Sequence, residues 1–550
     1  MNIPRELASG LSKPGSRREA GLKRVLLASS VFVLAGAVGG LGAACSSSSG
    51  GGSPGTDSGT DSSTVEGGGG EGGGEGGSAG FAPTIPCTDS IASVYADPGD
   101  VSKLAKGAII KCAHDQDLTA SALLALAQVQ DAYMTPPYSG KPFTSGAHVY
   151  RVLYRTERGD PANSPGYSSA LVLLPDTPRA STLPVVVASH GSRGQAGVCA
   201  PSQLSMAAAV VNADFIHQVY PMVGLGYAVI APDLAGYANF GGANNPPSAY
   251  AGTEDVGKST LDGVAALRNV LPTASLTQQI ALVGHSQGGH TTLSALSLSS
   301  TYPVSGNIAA VAVYAPLWFS ARGFAAILLE PQSYGLAQSA AATISLWYHY
   351  THTTLLDGPD SGFPLFNPAK LPVVQSFVNN DCWAESYPDL LDAGASANDF
   401  LTAAYASSIG LPATPIGAGN CNGDPVCTTW LARMTADWPH LTGAAAKTPI
   451  LVEYAFDDTT LTPDLAQCAF NRLSSDSANY TVCYDQKPVG HSGSVAAHAD
   501  YVADWIGQQT LGGAAPTEGC TVLTSMGGNP PQILDDAGAA VPCNPLVSTE

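Results

Sequence analysis

Apolar residues in this chain gather into short runs separated by longer stretches of mixed character. Eight runs read as β-strands: HVYRVLYRT (148–156), SALVLLP (169–175), PVVVASH (184–190), GYAVIAPD (226–233), QIALVGHS (279–286), IAAVAVYAP (308–316), PILVEYA (449–455) and NYTVCYD (479–485). Several are continuously apolar, as strands covered on both faces of a parallel sheet are. Helical stretches lie between them, such as Glu254–Val270, with Thr253 placed to cap its N-terminus, and Gly288–Leu296. The alternation predicts an α/β fold, a mostly parallel sheet flanked by helices on both faces. Residues 320–445 break the rhythm with apolar helical pieces such as FAAILLE (324–330) and ISLWYHY (344–350) among Pro and Gly turns. They read as an inserted, mainly helical cap between two parts of the core, 145–319 and 446–510. An N-terminal extension (81–144) precedes the core, and a C-terminal tail (511–550) follows it. There is no internal repeat.

The N-terminus has the layout of an export signal. Residues 1–24 hold six basic and two acidic residues, and the apolar run VLLASSVFVLAGAVGGLGAA (25–44) ends at Cys45. Gly-Ala-Ala-Cys resembles a bacterial lipoprotein processing site, at which Cys45 would carry lipid and anchor the protein to a membrane of the cell envelope. Plain secretion is the alternative. Ser46–Gly80 is almost entirely Gly, Ser, Thr and acidic residues, and reads as a flexible tether reaching about 30–35 Å. The chain of 550 residues carries a net charge of −20, and loss of the +4 signal leaves −24. Such a surface disfavours nucleic acid as a partner.

Of eleven cysteines, ten remain when Cys45 is set aside: Cys87, Cys112, Cys199, Cys382, Cys421, Cys427, Cys468, Cys483, Cys520 and Cys543. An even set in an exported chain predicts up to five disulfides. Connectivity is not given by sequence. Local proximity favours Cys421–Cys427, Cys468–Cys483 and Cys520–Cys543, and Cys87–Cys112 and Cys199–Cys382 would then remain. The cysteines form no metal-type cluster with histidines, and no cofactor is expected.

The chemistry centres on Gly284-His285-Ser286-Gln287-Gly288, set between an apolar strand and an apolar helix. A G-x-S-x-G turn there projects the Ser hydroxyl above the sheet and leaves the amide of Gln287 free to bind an oxyanion. The loop after 184–190 should supply a second donor, the amide of Ser192 or of Arg193. A triad acid and base belong in loops after later strands, where Asp457-Asp458 and His491 stand. His285 and His290, beside the turn, are expected to shape the pocket, and His498 to lie in the final helix.

These blocks resemble α/β-hydrolases of the secretory lipase family: SHGSRGQAGVCAPS (189–202), GYAVIAPDLAGY (226–237), TEDVGKSTLDGVAALR (253–268), GHSQGGHTTL (284–293), PILVEYAFDDTTLTP (449–463) and GHSGSV (490–495). The resemblance spans about residues 145–510. It implies the α/β-hydrolase fold with a cap, a Ser-Asp-His triad acting on acyl esters, and a disulfide from Cys199 to the cap, which favours Cys382. The acid loop departs from the family, with Ala455 at a usual Gly and two Asp in place of one. The family's spacing from that position selects Asp458 and leaves Asp457 to cap the turn or face the surface. The resemblance thus implies an exported serine ester hydrolase with Ser286, Asp458 and His491 as its triad. A peptidase or acyltransferase on the same fold, and a non-catalytic surface binding protein, are the alternatives.

Overall fold

The computed structural model describes residues 82–543, apart from 130–135, 205, 207–214, 243–244, 273–274, 319–335, 384–396, 412–419, 486–488, 517–518, 524–529 and 536–537. The export signal, Cys45, the tether and the FAAILLE piece lie outside the described residues. No helix among the described residues is long and apolar enough to cross a membrane.

Among the described residues ten strands form one sheet: β1 (Ile109–Leu118), β2 (Ala147–Glu157), β3 (Pro165–Pro175), β4 (Leu183–Ser189), β5 (Ala228–Ala235), β6 (Leu276–His285), β7 (Asn307–Tyr314), β8 (Ile450–Ala455), β9 (Tyr480–Asp485) and β10 (Thr521–Leu523). Their order is β1-β2-β3-β5-β4-β6-β7-β8-β9-β10. The six strands from β5 to β9 in that order run parallel, while β1, β2, β3 and β10 pair antiparallel. All eight predicted strands are present. The edge strands β1 and β10 were not anticipated, because β1 (IIKCAHDQDL) mixes polar and apolar residues and β10 is three residues long.

Side-chain alternation divides the core into two layers. Val185, Val187, Ile280, Leu282, Val311 and Val313 face one side, against Leu261 and Leu267 of α1 (Thr253–Val270) and Leu293 and Leu296 of α2 (Gln287–Leu298). Val186, Ala281, Val283, Ala312 and Leu451 face the other, against Val495, Val502 and Ile506 of the last helix. Thr253 is the first helical residue of α1 rather than its cap. Its amide is instead satisfied at 2.8 Å by the carboxylate of Asp437.

The chain between β7 and β8 is mainly helical among its described residues. Its longest helix, α3 (Leu336–Leu356), contributes Leu346 and Trp347 to a separate apolar cluster with Phe377 and Trp430. Beyond β8 come α4 (Pro463–Ser475) and α5 (Gly490–Leu511).

Five disulfides are present: Cys87–Cys112, Cys199–Cys382, Cys421–Cys427, Cys468–Cys543 and Cys483–Cys520. The first three are as expected. The expected Cys468–Cys483 and Cys520–Cys543 are corrected. β10 folds back antiparallel on β9, bringing Cys520 beside Cys483. Cys543, further along the tail, meets Cys468 on α4. Five disulfides belong to a chain that folds in an oxidising, exported environment.

Candidate active site

Ser286 stands where β6 ends and α2 begins. Its backbone is at φ 55°, ψ −119°, a region that L-residues adopt only under constraint, at a cost of about 1–3 kcal/mol. The turn is held on both sides. Ser286 N–H donates to the carbonyl of Tyr314 at the end of β7, and Ser286 C=O accepts from the amides of Gly289 and Leu317, each at 2.9 Å. A Cβ on Gly284 would collide with the carbonyl of Gly288, and one on Gly288 with the carbonyl of Ser189. The flanking glycines are therefore a steric requirement of the turn.

Asp458 lies three residues past β8. Its Oδ2 is 2.8 Å from His491 Nδ1, and its Oδ1 accepts from the amides of Thr460 and Leu461, both at 2.8 Å. Burial pushes this carboxyl up, but the neighbouring His491 and the donated hydrogen bonds outweigh it and hold the pKa below 3.8. Asp457 lies in the turn that follows β8, where the Asp458 amide donates to the carbonyl of Ala455, and it takes another direction. Its Oδ1 accepts from the amides of Val489 (3.1 Å) and Gly490 (2.9 Å), anchoring the start of α5. His491 is the second residue of α5, not a loop residue.

His285 packs its ring 4.7 Å from that of His491, and its Nε2 lies 3.1 Å from the His491 carbonyl. Burial, reinforced by His491, lowers its pKa to about 3, so it stays neutral. His290 faces away, with Nε2 at 2.7 Å from the carbonyl of Asp437, and His498 lies inside α5.

Gln287 opens α2, and no hydrogen-bond partner for its amide is found among the described residues. The loop after β4 is fastened at successive residues. Ser192 Oγ is 2.6 Å from the hydroxyl of Tyr250, and the Arg193 carbonyl accepts from the amide of Trp383 at 2.9 Å. Gly194 pairs with Cys382, which is itself bonded to Cys199. Nothing in the sequence flagged Tyr250 or Trp383, since both reach the loop only through the fold. Among the described residues the single grouping of three metal-type ligands is Glu453, Cys483 and Cys520. Its two sulfurs are joined in a disulfide and offer no thiolate.

This arrangement, a strained Ser between strand and helix with a His–Asp pair after later strands of a parallel sheet, defines a class of hydrolytic enzymes. Residues 185–455 match the Alpha/beta hydrolase family, and the chain has the α/β-hydrolase fold. Solved structures share the architecture. Candida antarctica lipase A in its closed state is 18% identical, with 79% of this chain and 89% of that one covered and a TM-score of 0.55. A putative hydrolase from Legionella pneumophila is 14% identical over 74% of this chain and 100% of that one, at a TM-score of 0.57. The rice cell wall degrading esterase LipA from Xanthomonas oryzae is 17% identical, covering 74% and 99%, with a TM-score of 0.51. At such identities the likeness is one of fold. No curated protein matches the chain.

Proposed function

We propose that the protein is an exported serine carboxylic-ester hydrolase of the secretory lipase type. The observation that carries this is a strained, 9% exposed Ser286 at the end of β6, next to a His285 whose ring lies 4.7 Å from that of His491, which is in turn oriented by the buried carboxylate of Asp458. Asp458 fixes the tautomer with the proton on Nδ1, leaving Nε2 as the base. Nε2 takes the proton of Ser286 as Oγ attacks the ester carbonyl. The amides of Gln287 and of Ser192 or Arg193 hold the resulting oxyanion. Collapse of the tetrahedral adduct returns the proton to the leaving alcohol and forms the acyl-enzyme. Water, deprotonated by His491, then releases the acid. No cofactor is required by these steps.

Residues 320–445 act as a cap over Ser286 in this reading, and Cys45 carries the lipid that tethers the enzyme to the envelope, with free secretion as the alternative. Hydrolysis of p-nitrophenyl esters of increasing chain length, beside aminoacyl amides and with Ser286→Ala as control, tests the proposal. Ester turnover lost in Ser286→Ala, together with fluorophosphonate labelling of the native enzyme, is the expected result. Turnover of amides but not esters would move the assignment to a peptidase, and unaltered ester turnover in Ser286→Ala would end it. Membrane fractionation of Cys45→Ser tests the anchor.

A further inference from the structure

Helix α3 of the inserted segment places Trp347 and Thr351 four residues apart, hence on one face. That face meets the hydrolase core at Tyr250. The Tyr250 amide donates to Thr351 Oγ1 at 3.0 Å, and the Tyr250 ring lies 5.6 Å from that of Trp347. Ala251, the next residue, has φ 53°, a left-handed conformation that the surroundings must impose. Tyr250 is fully buried, and burial raises its pKa well above the ordinary phenol value, so the O–H is kept. Its hydroxyl ends 2.6 Å from Ser192 Oγ, in the loop that offers the second oxyanion amide. A parallel route leaves the same helix face. Trp347 packs 5.6 Å from Trp383, whose amide donates to the carbonyl of Arg193.

We propose that Tyr250 is a positioning residue of the oxyanion loop, and that through it the seating of α3 sets how well the oxyanion is held. The proposal rests on the ester hydrolase mechanism above. Ester binding places the carbonyl near the loop, but charge appears on its oxygen only in the transition state. A loop released from Tyr250 keeps its amides and loses their fixed aim, which lowers kcat more than it changes KM.

The test is a double-mutant cycle on a soluble acetate ester with Tyr250→Phe, Ser192→Ala and the pair, each checked by thermal melting. An aryl boronic acid, which forms a tetrahedral adduct on the nucleophile, reports oxyanion binding directly. Each single variant should lower kcat roughly tenfold, weaken boronate binding by a similar factor and leave KM within about twofold. The pair should be no worse than either single variant, since both delete one bond. Thr351→Val should shift kcat and boronate affinity the same way by a smaller factor. Wild-type kcat in a folded Tyr250→Phe, or losses that multiply in the pair, would overturn the proposal. If Tyr250→Phe does not fold, Ser192→Ala cuts the same bond from its half-buried end and decides alone. Ser286→Ala separates the two readings: if it stays active the triad itself fails and this proposal with it. If it is inert beside a fully active Tyr250→Phe, only the role of Tyr250 falls.

Discussion

Helix α5 carries two histidines seven residues apart, and each meets a carboxylate supplied by β8 or the loop after it. His491 pairs with Asp458 beyond the strand's end, and His498 Nδ1 hydrogen-bonds Glu453 within the strand. As chemical pairs they are nearly the same. Glu453 is fully buried and His498 almost so, wedged between sheet and helix beside the Cys483–Cys520 disulfide. His491 is more open, at the strand ends where Ser286 stands. A His–carboxylate pair is thus not in itself a catalytic element. About two turns of helix separate the pair at the strand ends from the one that braces the core.

Replacing each carboxylate by its amide breaks the comparison most sharply. Asp458→Asn should lower kcat on a short-chain ester by roughly 10⁴-fold while the protein still melts cooperatively, because the amide favours the wrong His491 tautomer. Glu453→Gln should do the reverse. Losing one partner of a buried pair costs roughly 2–5 kcal/mol, read as a lowered Tm, with kcat per folded molecule held within a few-fold. Equal kcat losses in the two variants would erase the distinction.

A milder effect is expected next door. Asp457→Asn keeps one acceptor for the amides of Val489 and Gly490, so about 1 kcal/mol of stability and a few-fold in kcat are at stake, measured by melting and by the same ester assay. A dead Asp457→Asn beside an active Asp458→Asn would exchange their roles.

The smallest effect concerns pH. Asp458 has a lowered pKa in the fold, so its stabilisation is present above the unfolded value and is lost as pH falls through the folded one. Asp262, bonded to Thr156 and Tyr302, is the opposite case, raised by burial from 3.8 to about 6. Its stabilisation is full below the unfolded value and is lost as pH rises toward 6. Melting curves between about pH 4 and 7 should show Asp262→Asn flattening that decline. Asp458→Asn should leave the decline intact and alter only the acid side. An Asp262→Asn protein that tracks the wild type throughout would place its carboxyl near the ordinary value.

The parallel strands and the Ser turn were legible because burial on both faces writes continuous apolar runs, and because a sharp turn writes glycines. That an acid and a His follow the late strands was legible from their order, and the family resemblance singled out Asp458 over Asp457, the carboxylate that pairs with His491 being that of Asp458. Three features were not. Edge strand β1 faces solvent in part, so its polar residues hid it. The partners of Cys468, Cys483, Cys520 and Cys543 depend on β10 folding back on β9, and spacing along the chain carries no trace of that. Tyr250 meets Ser192 across 58 residues, held by a helix that lies about 100 residues further along.

The Cys483–Cys520 bond closes a loop of 37 residues around α5, and with it around His491. A protease that nicks the backbone inside this loop would not free the histidine-bearing helix from β9. The two cut ends stay covalently joined, and a nicked molecule keeps the helix that bears His491 tied to β9. Reduction and cleavage would have to act together to take the site apart. For an α/β-hydrolase fold tied by disulfides, survival after a cut is set by how the chain is looped as much as by how stably it is folded.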